Sequence, residues 1–177
     1  MMLKDLILQK KKAVLERWFQ LVLETYPIDS VRFLKHEKNR FANPVGNTIF
    51  QEIGNIFEEL LHGMDSADIS IFLDRVVRIR AVQDFSPSRA LQFIFDLKNV
   101  IREELGDELR NHSILTEYLK FESRIDKLAM LSFDIYMKCR EQIYESRVNE
   151  VKNKVSGLLK RSDLIYEISE EAPDLQR

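Results

Sequence analysis

Apolar residues recur along this chain at helical rather than strand spacing. Leu3, Leu6, Ile7, Val14, Trp18, Leu21 and Val22 fall on one face at about 3.6 residues per turn, and Pro27 after Thr25 and Tyr26 closes the pattern. This predicts one amphipathic helix of about six turns. A shorter helical piece follows from Asp29 to Glu37. Asn43 before Pro44 is a cap-then-proline signal for a third helix that ends at His62 with Gly63 as its stop. A fourth runs from after Asp65–Asp68 to about Gln83, and Ser86-Pro87 starts a fifth that Gly106 ends. From about Ser113 to Arg161 the only helix breaker is Gly157, so one very long last helix is expected, with fraying at that glycine. The acidic remainder, residues 162–177, lacks periodicity and reads as a flexible tail.

The long helix carries two apolar stripes. Phe121, Ile125, Leu128, Ser132, Ile135, Cys139 and Ile143 share a narrow arc, as expected of a helix packed on its own domain. Met130, Met137, Tyr144, Val151 and Leu158, each seven residues from the next, form a second stripe about 150° away, joined by Phe133, Val148 and Val155. A sustained seven-residue ladder is a coiled-coil signature. These eight residues are the candidate dimer interface. The expected organisation is a helical domain at 1–143, a projecting coiled-coil extension at 144–161 and the tail at 162–177. Burial of both stripes within one monomer is the alternative.

Composition narrows the class. One domain suits 177 residues, and 27 basic against 29 acidic side chains, a net charge of −2, provide no field to recruit nucleic acid. Charges at 4, 5 and 10–12 interrupt the N-terminal apolar residues, and no run approaches the roughly eighteen needed to enter a membrane, which points to a cytoplasmic protein. The lone Cys139 forms no internal disulfide and lies mid-stripe, as a packed small residue rather than a redox sensor. No phosphate loop, nucleophile elbow or HExxH occurs, so no catalytic residue, metal or cofactor is assigned and the chain is read as a non-enzyme. Glu59 and His62 match E-x-x-H, but a di-iron site needs a second such pair, and His62 abuts the helix-ending Gly63.

The stretch RVVRIRAVQDFSPSRAL, residues 75–91, is the densest polar cluster. Projection places Ile69, Phe72, Val76, Ile79 and Gln83 on one face, with Leu73 and Arg80 on its shoulder, while Arg75 and Arg78 look outward beside Ile71 and Val82. A buried Arg80 guanidinium needs an acceptor, taken here to be Asp84 or an acid of the fifth or sixth helix. Either this is an internal ion pair pinning a corner, or it is an anion or partner site. Trp18, Phe41, Arg80, Gln83 and Asp84 are the candidate ligand-binding residues.

Several stretches resemble the N-terminal sensory domain of the RsbR-type RsbT co-antagonist proteins of bacterial stressosomes, in the RsbRD-like branch. They are RW at 17–18, YP at 26–27, RFANPVG at 40–46, RIRAVQDFSPSRAL at 78–91, RIDKLAM at 124–130 and FDIYMKCREQIYESRVNEVK at 133–152. The resemblance spans about residues 5–161. It implies an all-α, globin-like, non-haem domain of about six helices with a very long C-terminal helix, acting as a dimer in stress-response signal transduction with a bacterial signalling partner. In full-length relatives the last helix leads to a STAS domain, which residues 162–177 are too short to hold, so kinase antagonism is not carried over. A haem ligand would sit mid-helix, whereas His36, His62 and His112 lie in or beside helix ends. The leading expectation is a dimeric regulator. Its rivals are a small-ligand or gas sensor and, further off, a ferritin-like metal oxidase.

Overall fold

A computed structural model describes residues 2–27, 43–64, 67–83 and 85–161. Among the described residues there are six α-helices and no strand: α1 (Leu3–Gln9), α2 (Lys11–Glu24), α3 (Pro44–His62), α4 (Asp68–Val82), α5 (Pro87–Leu105) and α6 (His112–Arg161). A 3-10 turn, Gly106–Arg110, joins the last two. The expected helix at Asp29–Glu37 and the tail at 162–177 lie outside the described residues.

Local chemistry sets most of the boundaries. The Asn43 side chain accepts the Gly46 N–H at 2.9 Å with Pro44 in the first turn, and Gly63 ends α3 at φ 107°, a conformation open to glycine. A β-carbon at Gly46 would fall 2.5–2.9 Å from the Asn43 side chain, so the cap itself requires glycine there. Ser86 caps α5 ahead of Pro87, and Asn111 accepts the Ser113 N–H at 2.9 Å to open α6.

One expectation needs correction. The single first helix is two, because Lys10 leaves helical geometry at φ −100°, ψ 5°. No proline or glycine marks that break. It coincides with tertiary anchoring, since the Lys10 ammonium bonds to the Glu104 carbonyl and lies 3.4 Å from Glu108 Oε1. The long last helix is present as expected, α6 being helical from His112 to Arg161 with Gly157 inside it. Gly157 faces open space, and the neighbouring residues keep the ladder of hydrogen bonds.

The chain divides into two units, Met1–Arg140 and Glu141–Arg177. In the first, α3 packs extensively on α4 and α2 on α5. Their shared core includes Trp18, Ile53, Phe57, Leu73, Phe93 and Leu97, and α6 adds Tyr118, Phe121, Ile125 and Leu128. Lys98 with Asp126 (2.6 Å) and Arg102 with Glu122 (2.8 Å) tie the rims of α5 and α6. A smaller cluster of Val77, Ala81, Ala90, Leu91, Tyr136 and Cys139 joins α4, α5 and α6. The second unit contributes the rest of the α6 helix. No described helix is long and apolar enough to cross a membrane.

Candidate functional site

The corner where α2 and α4 end and α5 begins holds a buried charge. Arg80 is fully buried, in the last turn of α4. Its Nε donates to the Ala90 carbonyl (2.9 Å), and its Nη2 donates to the Arg89 carbonyl (2.7 Å) and to Thr25 Oγ1 (3.0 Å). The guanidinium lies 4.5 Å from the Phe85 ring centroid, 5.5 Å from that of Tyr26 and 5.7 Å from that of Phe93. Three aromatic faces and three oxygens thus replace water around the cation. Its Nη1 is buried without a hydrogen-bond acceptor among the described residues.

Among the described residues two carbonyls and a hydroxyl accept from Arg80; Asp84, the first acceptor expected, lies outside them. Asp96 on α5 acts only through its field. The physical reason is geometric. The first turn of α5 closes over the guanidinium, and the Arg89 and Ala90 carbonyls present lone pairs without the desolvation cost of a second buried charge. Burial pushes the Arg80 pKa down, with Tyr26 opposing it and the charge of Arg89 adding to it. Burial likewise raises the Tyr26 hydroxyl.

In front of Arg80 lies an open cavity of about 480 Å³, lined by Thr25, Tyr26, Pro27, Gln83, Phe85, Ser86 and Arg89. Tyr26 and Phe85 meet edge to face at 5.2 Å, and the Tyr26 hydroxyl donates to Gln83 Oε1 at 2.9 Å. Arg89 is exposed, donates to the Thr25 carbonyl at 2.7 Å and lies 5.5 Å from the Phe85 centroid.

Of the five residues expected to bind a ligand, Gln83 lines this cavity and Arg80 sits behind its wall. Trp18 is a layer deeper, its Nε1 donating to the Phe93 carbonyl at 2.6 Å with the two rings stacked. Phe41 and Asp84 lie outside the described residues. Gln83 does not face the core as projected. It is exposed at the end of α4, and the buried face turns toward Leu73, Val77, Arg80 and Ala81 instead. Sequence reasoning missed Thr25, Tyr26, Phe85 and Arg89 as a group, because they are brought together by the meeting of three helix ends. The YP and FSPSR motifs were the only signal available.

Outside this corner, Arg78 pairs with Asp74 through two bonds of 2.8 and 3.0 Å, as its i,i+4 spacing predicts. Arg75 is half exposed, yet it bonds at 2.6 Å to Glu52, a carboxylate buried in α3 and also held by Asn55 at 3.0 Å. His62 is exposed, its ring 2.8 Å from the Glu58 carbonyl, and His112 opens α6, also exposed, while His36 lies outside the described residues. Burial pushes the Cys139 thiol up, away from the thiolate form.

The eight residues of the second stripe are all exposed, from 39% at Met137 to 68% at Met130. Phe121, Ile125, Leu128, Ser132 and Cys139 of the first stripe are buried, with Ile135 and Ile143 partly so. The two stripes have different environments. Only one belongs to the core.

The family described as the RsbT co-antagonist protein rsbRD N-terminal domain matches residues 12–151. The chain belongs to that family. The rsbRD N-terminal match takes in α2 from Lys12, α3 to α5, the corner around Arg80 and α6 as far as Val151. An uncharacterized protein of Archaeoglobus fulgidus is 25% identical over 154 residues, covering 86% of this chain and 92% of its own. No solved structure matches the chain.

Proposed function

We propose that this rsbRD-type domain is a non-enzymatic, cytoplasmic regulator of stress signalling that dimerises through its long helix and engages a signalling partner there. The observation that supports this reading is the exposed apolar ladder. Between 144 and 158 it follows the alternating three-and-four spacing of a coiled-coil seam: Tyr144, Val148, Val151, Val155, Leu158. Val148 and Val155 hold one seam position and Tyr144, Val151 and Leu158 the other; valine at the first with leucine at the second is the two-stranded pattern, met here at Leu158. A lone helix exposing five such side chains would hold a large apolar stripe in water. A regulator of this kind needs two states of different partner affinity, and α6 is one continuous helix from His112 to Arg161.

Light scattering at micromolar concentration tests this. The wild type is expected to be a dimer, and Val151→Glu a folded monomer with an unchanged circular dichroism spectrum. A monomeric wild type would remove the proposal.

The corner cavity favours a second reading, a globin-like, non-haem sensor of a small ligand. Native mass spectrometry distinguishes the two, since a bound molecule adds mass to each chain.

A further inference from the structure

The sensor reading leaves open what the corner cavity would hold, and its lining is selective. Two guanidinium groups, Arg80 and Arg89, converge on the Phe85 ring at 4.5 and 5.5 Å. The described lining residues include no carboxylate. Arg80 is committed to three oxygens on the inner side, whereas Arg89 uses one N–H on the Thr25 carbonyl and its others have no protein acceptor among the described residues. The amide nitrogen of Gln83 is left similarly available, because its oxygen takes the Tyr26 hydroxyl. The remaining lining is Thr25, Ser86, the pyrrolidine of Pro27 and two flat rings, Tyr26 and Phe85.

We infer that this cavity binds a small organic monoanion, a carboxylate carried on a flat apolar body, with Arg89 as the carboxylate-binding residue and Gln83 and the Ser86 hydroxyl beside it. A guanidinium edge matches a carboxylate through two parallel N–H···O bonds. The aromatic rings take the body of the ligand, and about 480 Å³ is within the usual size of a small-molecule site. An anion here also offsets the mutual repulsion of the two arginines, which the cavity's described walls do not neutralise. A phosphate dianion fits less well, since a single exposed guanidinium faces the cavity and the rings give it nothing to bind.

Benzoate titrated into the full chain tests this, followed by thermal midpoint and by emission of Trp18, the single tryptophan, which stacks on the Phe93 ring beside Arg80. Benzoate is expected to bind saturably, roughly tenfold or more tightly than neutral benzamide or inorganic phosphate, which is the worth of one charge-assisted pair. Arg89→Gln is expected to weaken benzoate by a similar factor while its circular dichroism spectrum stays that of the wild type. Equal binding of benzamide, preference for phosphate, unchanged affinity in Arg89→Gln, or no saturable change would each overturn the inference. Because it rests on the sensor reading and not on the dimer, Val151→Glu is titrated in parallel. Benzoate binding by that variant at wild-type affinity upholds the site whatever light scattering says of the seam, and loss of binding in it alone overturns the site's independence.

Discussion

The hydroxyl of Tyr136, on α6, donates a 2.6 Å hydrogen bond to the backbone carbonyl of Phe85, in the link between α4 and α5. Phe85 is also the ring that lies under both guanidinium groups of the corner. The long helix is thereby connected to the wall of the cavity through one residue. Tyr136→Phe leaves a part-buried carbonyl without its donor and is expected to cost about 1–3 kcal/mol, read as a lower urea midpoint at unchanged slope.

Arg80, at the end of α4, bonds to the end of α2 through Thr25 and to the start of α5 through Arg89 and Ala90. Arg80→Lys keeps the charge but cannot reproduce the fork, and Arg80→Ala leaves a large void and unpaired carbonyls. Both are expected to destabilise, the alanine variant by about 3–5 kcal/mol, with the lysine variant between it and wild type in a denaturant titration. A lysine variant as stable as wild type would show that charge alone matters here.

The Glu52–Arg75 pair is asymmetric, with the Glu52 side chain 4% exposed and the Arg75 side chain 52% exposed. Removing the arginine strands a buried charge, whereas removing the carboxylate returns an arginine to water. Arg75→Met is therefore expected to lose about 1–3 kcal/mol and Glu52→Gln clearly less, measured by thermal and urea midpoints of the two variants side by side.

Alkaline unfolding is expected to carry a signature of Tyr118. Burial, aided by its 2.7 Å bond to Glu122, pushes this phenol up to about 12 from its ordinary value of 10.0. The folded state keeps the proton that the unfolded chain releases, so the contribution is full below pH 10.0 and is lost as pH rises toward about 12. Tyr118→Phe should flatten the fall of stability across that interval, in urea midpoints collected at several pH values. An unchanged slope would show that Tyr118 is not the group responsible.

Helix boundaries were legible wherever the signal was local. Asn43-Pro44, Gly63, Ser86-Pro87 and Gly106 act within a turn of themselves, and all four end or begin helices as read. The break at Lys10 was not, because it accompanies contacts with Glu104 and Glu108 some ninety residues away. At the corner, Arg80 was legible as an inward charge from its shoulder position on an apolar face. Its acceptors were not, since carbonyl oxygens carry no sequence signature and Thr25, Arg89 and Ala90 meet it only through folding. Glu52 was missed for the same reason: its partner Arg75 lies on another helix and looked like a solvent-facing residue.

The amino-acid sequence by itself determined the all-α class, the caps, the two stripes of α6 and the family motifs, because periodicity and capping operate over a few residues. Tertiary structure decided which stripe is buried, which oxygens hold Arg80, and that Tyr26, Gln83, Phe85 and Arg89 share one cavity. Those outcomes depend on how separate helix ends approach one another. Burial, and with it the strength of every charge at the corner, exists only once they have packed.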